Sequence, residues 1–287
     1  MQFDSNQAWS QAVASVSANR DTIWPVAGVF FLIPSLVWVW FFSDVQAGMM
    51  ANLSNPAAAS QAMSGMMGKA FLYITLLVIV QSVGNMAMLG LFTDRARPTV
   101  GEAIGNALRC LPTVIGAAVL LMIAYMLIGV VAAVIIGGIA AATGVTALAV
   151  VLAIIAAGAL FWAVTRLSML LPVIVIEGVT NPITAITRTW GLTKGNSGRL
   201  FLFYFLLMLG YLVIGLVVGI VLGAILGVGM VAAGGTAASL SGGALIAQGI
   251  ISGLLGMVVA VLLNAILAAI HRQLAGPSTD AISDTFS

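Results

Sequence analysis

Apolar residues run through this chain in blocks of twenty or more, and short polar stretches punctuate them. The blocks fall at Ile23–Phe42, Ala70–Phe92, Thr113–Ile139, Val145–Ile176, Leu200–Ile225 and Ala244–Ile270. Each is long enough to cross the roughly 30 Å hydrocarbon core of a bilayer as a helix. The runs are continuous rather than alternating, which predicts helices and not a β-barrel. The fourth block is overlong, so it must tilt, bend at Pro172 or continue beyond the hydrocarbon.

The polar punctuation is basic on one side. Arg20 precedes the first block, Arg95, Arg97 and Arg109 lie between the second and third, Arg188, Lys194 and Arg199 lie between the fourth and fifth, and Arg272 follows the sixth. The other side holds Lys69. This bias predicts that both termini are cytoplasmic. The opposite-side segments, Ser43–Lys69, a turn near Ala140–Gly144 and Leu226–Gly243, are rich in Ala, Gly, Ser and Met, and none reads as a folded domain.

Three of the polar stretches resemble one another. QAWSQAVASVSAN precedes the first block, GEAIGNALRCLP the third and TAITRTWGLTKGN the fifth. Ala8, Ala103 and Ala185 align. Trp9, Ile104 and Ile186 follow, then Val13, Leu108 and Trp190, then Val16, Leu111 and Thr193. At helical pitch the last three columns form one stripe, while Gln11, Glu102, Asn106, Arg188 and Lys194 take the other face. Asn181 reads as an N-cap with Pro182 at the first helical position. Each stretch is therefore expected to be an amphipathic helix in the interface, with Trp at headgroup depth. The predicted fold is all-α and polytopic. It has six transmembrane helices in three repeats (about 5–93, 97–176 and 181–271), each an interfacial helix plus a helical hairpin. Residues 1–275 form one membrane domain and 276–287 a short cytoplasmic tail.

Composition agrees: 62% of the 287 residues are hydrophobic, 6% are charged, and mean hydropathy is +1.18. A soluble domain carries about a quarter charged residues. The formal net charge of +2 gives no reason to expect nucleic acid, and a single cysteine, Cys110, excludes an intramolecular disulfide. The N-terminus lacks the basic-then-apolar order of a secretory signal, so the first span is expected to act as its own uncleaved insertion signal.

Few residues carry chemistry. Gln81, Asn85, Arg166 and Asn264 are polar residues inside predicted spans, and counting along the helices places them in the basic-side half or near the midplane. They form a candidate ligand or headgroup site; the alternative is polar glue between helices, with Arg166 snorkelling. Trp9, Arg20, Arg109, Arg188, Trp190, Lys194 and Arg199 are candidate interfacial, lipid-facing residues. Gly215, Gly219, Gly223 and Gly227 form a stripe at spacing four, expected to be a close-packing seam within the chain or with another copy. Met49, Met50, Met63, Met66 and Met67 are soft thioethers, but without Cys or His beside them they point to loop packing rather than copper. Glu177 is expected to pair with Arg188 or Arg199 at the surface. A catalytic carboxylate would need a second acid or a histidine nearby, and the sequence places none beside it.

The segment Arg166-Leu-Ser, Leu171-Pro172, Glu177-Gly178, Ala185, Arg188, Trp190, Leu192-Thr193-Lys194-Gly195 and Arg199 resembles the membrane domain of glycerophosphoryl diester phosphodiesterases and its stand-alone bacterial relatives. The close resemblance covers about 40 residues. It implies a bacterial inner-membrane scaffold without the catalytic barrel, because the paired histidines and metal-holding carboxylates of that chemistry are missing and His271 is the one histidine. The expected function is non-catalytic: binding or organising lipid, anionic lipid included, or supporting an envelope protein partner. A homo-oligomer would also fit, and no cofactor or metal is expected. A transporter or channel-like protein for a small amphiphile or lipid is the alternative.

Overall fold

The computed structural model describes residues 3–39, 56–93, 98–232 and 242–276, and side-chain surroundings for 3–39, 70–93, 98–224 and 246–276. Arg95, Arg97, Met49 and Met50 lie outside the described residues. So do the side chains of Lys69, Met63, Met66 and Met67, and the surroundings of Gly227.

The described residues are helical throughout, with no strand. In chain order the helices are α1 (Ser5–Ala18), α2 (Arg20–Val39), α3 (Pro56–Leu91), α4 (Val100–Thr143), α5 (Thr146–Arg166), α6 (Leu170–Ile176), α7 (Pro182–Leu192), α8 (Ser197–Ala232) and α9 (Gly242–Ala275). Six stretches are long and apolar enough to cross a membrane: Arg20–Val39, Ala70–Leu91, Val100–Thr143, Thr146–Ile176, Ser197–Ala224 and Ile246–Ala275. This is the architecture of a multi-pass helical membrane protein.

Local chemistry sets the ends. Asn181 caps α7, its side chain accepting from the backbone N–H groups of Ile183 and Thr184, with Pro182 at the first helical position. Thr99 and Glu102 form a capping box at the start of α4: the Thr99 N–H donates to the Glu102 carboxylate and the Glu102 N–H to the Thr99 hydroxyl. Gly144, at φ +67°, makes the turn between α4 and α5. Inside α2 the pitch widens to a π turn over Gly28–Leu32, where Ile33 N–H reaches back to the Gly28 carbonyl.

One expectation is corrected and one open alternative is decided. The second interfacial stretch is not a helix of its own. It is the first part of α4, which runs unbroken for 44 residues, about 66 Å at helical rise. The first and third copies are followed by stop signals, Asn19 and the Gly195-Asn196 turn. The second is followed only by Pro112, which the helix accommodates. The overlong fourth block takes one of its three expected courses, an interruption at Pro172. α5 ends at Arg166, three residues turn, and α6 follows. Pro172 has no N–H for the Ser168 carbonyl and its ring crowds that turn, so the break falls just upstream of it.

The chain divides into two compact units that cut across the predicted repeats. One comprises Met1–Ala12, Gly105–Phe205 and Ile266–Ser287; the other comprises Val13–Ile104 and Leu206–Ala265. In the first, Val173 and Ile174 of α6 and Ala185 of α7 are fully buried, with Cys110, Val114, Leu170, Val179 and Leu192 packed on them. The excess length of the fourth block is thus buried beneath α7. The Thr113 hydroxyl donates to the Thr180 carbonyl at 2.8 Å and ties α4 to this cluster.

In the second unit α2 packs tightly on α9. A Cβ added at Gly249 would collide with Val39, and one at Gly253 with Ser35 and Leu32. Gly84 of α3 likewise admits the side chains of Phe30 and Phe31. Among the described residues, nothing lies within 4 Å of a Cβ added at Gly215, Gly219 or Gly223 of α8. The close approach uses the same glycine spacing on a different helix.

Candidate functional site

Arg166 is the last residue of α5 and is 8% exposed. The 21 residues of α5 rise roughly 31 Å, about one hydrocarbon thickness, so the helix that ends at Arg166 is by itself long enough to cross a bilayer. The sequence places Arg166 in the basic-side half or near the midplane by counting along one helix; the turn at residues 167–169 interrupts that helix.

The guanidinium turns under α7. Nη2 donates to the Trp190 carbonyl at 2.7 Å and Nε to the Thr193 hydroxyl at 3.5 Å. Thr193 in turn donates to the Arg166 carbonyl at 3.2 Å. The Cζ atom lies 3.9 Å from the Trp190 ring centroid and 5.2 Å from that of Trp162, and the two indoles meet edge to face at 5.9 Å. A desolvated cation over Trp contributes up to about 2 kcal/mol. Arg166 also sits at the carbonyl end of its own helix and of α7, where a cation offsets two negative helix ends. None of the ion pairs among the described residues includes it.

Eleven residues on, Glu177 follows α6. Its carboxylate accepts from Arg188 of α7, at 2.9 Å to Nε and 3.4 Å to Nη2, as the sequence led us to expect. It also lies 3.1 Å from Nε2 of His271, whose side chain is 5% exposed at the end of α9. The sequence placed no histidine beside this acid, so this is a correction. Both residues stand at the basic-side ends of even-numbered spans, and that shared position was the available signal. Burial would push the Glu177 carboxyl up; the Arg188 bond and charge and the His271 bond outweigh it and hold the carboxyl below the ordinary 4.5. The same pairing raises Arg188.

The N-terminus docks on this unit. Phe3 N–H donates to the Asn196 side chain at 2.9 Å, and Arg199 reaches the Phe3 carbonyl at 3.5 Å. The buried Phe3 ring meets Phe203 edge to face at 5.5 Å. Asp4 N–H donates to Gln273, whose amide donates back to the Asp4 carbonyl.

The remaining candidates fall as follows. Trp9, Arg109, Arg188, Trp190, Lys194 and Arg199 are exposed residues of the first unit. Arg20 is exposed in the second, 3.6 Å from Asp21. Asn85 and Asn264 of the second unit form a direct pair, Asn264 Nδ2 donating to Asn85 Oδ1 at 2.6 Å and to the Ala260 carbonyl at 2.8 Å. Both partners are acceptors, which fixes the amide's orientation and leaves the buried Asn264 Oδ1 without a donor. Gln81, one turn before Asn85, is half-buried. Arg166 belongs to the first unit, where α7 serves it, and the amide pair belongs to the second. Among the described residues no cluster of three or more His, Cys, Asp or Glu side chains is placed to hold a metal ion.

The chain matches no protein-family model, no curated protein and no solved structure.

Proposed function

We propose that this chain is a non-catalytic, multi-pass inner-membrane protein of bacterial type that binds and organises lipid at its cytoplasmic side. One observation carries the reading: the first unit exposes Trp9, Arg109, Trp190, Lys194 and Arg199 while burying its alanine positions Ala8, Ala107 and Ala185. Exposed indoles and cations beside apolar spans suit a headgroup layer, where each Lys or Arg contributes about 1 kcal/mol on anionic lipid. The relationship to the membrane domain of glycerophosphoryl diester phosphodiesterases remains part of this proposal, carried by the Arg166-to-Arg199 motif.

The test is native mass spectrometry of the full-length protein, exchanged into equimolar phosphatidylglycerol and phosphatidylcholine. Enrichment of phosphatidylglycerol in the retained lipid is the expected result. Retention in the ratio supplied would overturn the reading.

A second reading, a transporter of a small amphiphile, is favoured by the interruption of the fourth span at residues 167–169, since transporter sites often use broken helices. Protein-dependent flipping of a short-chain fluorescent phospholipid in proteoliposomes would support it over a static binding role.

A further inference from the structure

We propose that the open edge of the Arg166 guanidinium is a single, specific binding point for a phosphate oxyanion, with the headgroup of an anionic lipid as its source. This rests on the lipid-binding reading above and deepens it.

A guanidinium has five N–H donors arranged along two forked edges. The side-on edge, Nε with Nη2, is taken by Thr193 and Trp190. One face lies on Trp190, with Trp162 beside it. The end-on edge, one hydrogen of Nη1 beside the second of Nη2, has no acceptor among the described residues. Arg166 is in no ion pair there, yet the residue is more than nine-tenths buried. Nη1 is not among the buried side-chain atoms left without a partner, so this edge reaches the surface of the chain, where an anion can approach it and form a charge-assisted pair.

The nearest acid in sequence, Glu177, is occupied by Arg188 and His271. The missing acceptor is therefore expected from outside the chain. A phosphate offers two oxygens at the spacing of a guanidinium edge. The end of α5 and the half-exposed indoles of Trp162 and Trp190 put that edge where headgroup phosphates lie. Arg109 and Lys194 are solvent-facing and attract anions diffusely, whereas Arg166 is pre-positioned by two hydrogen bonds and an aromatic contact.

The experiment uses full-length protein in a neutral detergent, with phosphatidylglycerol, phosphatidylcholine and sodium phosphate as probes and native mass spectrometry plus thermal unfolding as readouts. Wild type is expected to keep one phosphatidylglycerol per chain that Arg166→Gln binds about tenfold more weakly, the scale of one lost charge-assisted contact. The double change Arg109→Gln, Lys194→Gln is expected to thin the diffuse lipid shell and leave that one molecule in place. Arg166→Lys keeps the charge without the fork and is expected to fall between wild type and Arg166→Gln. It also serves as the test if the Gln variant fails to fold. Failure of sodium phosphate to displace the lipid supports the headgroup as source. Displacement keeps the oxyanion site but overturns the headgroup assignment.

A folded Arg166→Gln, or an Arg166→Lys, that holds the single phosphatidylglycerol as tightly as wild type would overturn the proposal while leaving lipid enrichment intact. Wild type showing no enrichment, yet stabilised by sodium phosphate only when Arg166 is present, would sink the lipid reading and keep the oxyanion site. A lower unfolding temperature in Arg166→Gln with unchanged lipid retention would make Arg166 a structural clamp and nothing more.

Discussion

Glu177 ties three elements at one carboxylate: the end of α6, Arg188 on α7 and His271 at the end of α9. Its carboxyl is held below the ordinary 4.5, so as pH falls the unfolded chain takes up the proton first. The sign follows: the contribution is complete above the ordinary carboxyl range and is lost as pH drops through the depressed folded value. Arg188 is half exposed, which limits its leg to about 0–1 kcal/mol. Thermal unfolding of wild type and Glu177→Gln should therefore differ near neutrality and converge in acid. Parallel curves down to pH 3 would show that this carboxylate does not couple folding to pH. The Arg188 contact was legible in the sequence because eleven residues spanning a glycine turn and a capped helix bring the two close. The His271 contact was not, because 94 residues separate it from Glu177 and depend on how α9 ends. The clamp around Arg166 was not legible for a related reason. No Gly or Pro occupies 167–169, and the break is imposed from downstream by Pro172.

Among the elements, α7 was the most legible. Asn181-Pro182 fixes its start, and the expected cap is present with both bonds. Asn181→Ala should cost about 1 kcal/mol, measured as a lower unfolding temperature in detergent; no change would mean that burial of Ala185 and Leu192 alone holds α7. The glycine seam was legible as a spacing but not as a place. Gly215, Gly219 and Gly223 on α8, and Gly249 and Gly253 on α9, all recur every four residues, and a spacing cannot say which face meets a neighbour. The structure answers through α2, whose Val39 and Ser35 fill the space a Cβ would need at Gly249 and Gly253. Gly253→Ala should therefore cost roughly 1–3 kcal/mol by overpacking, whereas Gly219→Ala meets open space and should be neutral or gain up to about 1 kcal/mol of helix propensity. Equal losses of unfolding temperature in the two variants would mean that the α8 stripe is covered by something other than this chain.

At the scale of the whole molecule, six apolar helices were readable from run length alone, because hydrocarbon thickness sets a minimum that few soluble helices reach. The threefold repeat is a proposal of another kind. In its favour, equivalent positions share an environment: Ala8, Ala103 and Ala185 are all buried, and four residues on so are Ala12, Ala107 and Thr189. The same helical face is thus turned inward in all three stretches, although the second is continuous with its span. If each stretch precedes a span entered from the basic side, one topology follows for all three, and it can be tested without a partner or ligand. Single cysteines at Ser10, Asn106 and Thr187, all exposed, in a Cys110→Ser background, should resist a membrane-impermeant maleimide added outside intact cells and react after permeabilisation. A cysteine at Ala142, beside the Gly144 turn, should react without permeabilisation. The long α4 makes this pair of sites decisive. Asn106 and Ala142 lie on one unbroken helix, about 54 Å apart at helical rise, so they must report opposite sides if α4 spans the membrane. Labelling of both from outside would mean that α4 lies along the surface. Labelling of Ser10 or Thr187 from outside would leave the three stretches on different sides and remove the basis for a common repeat.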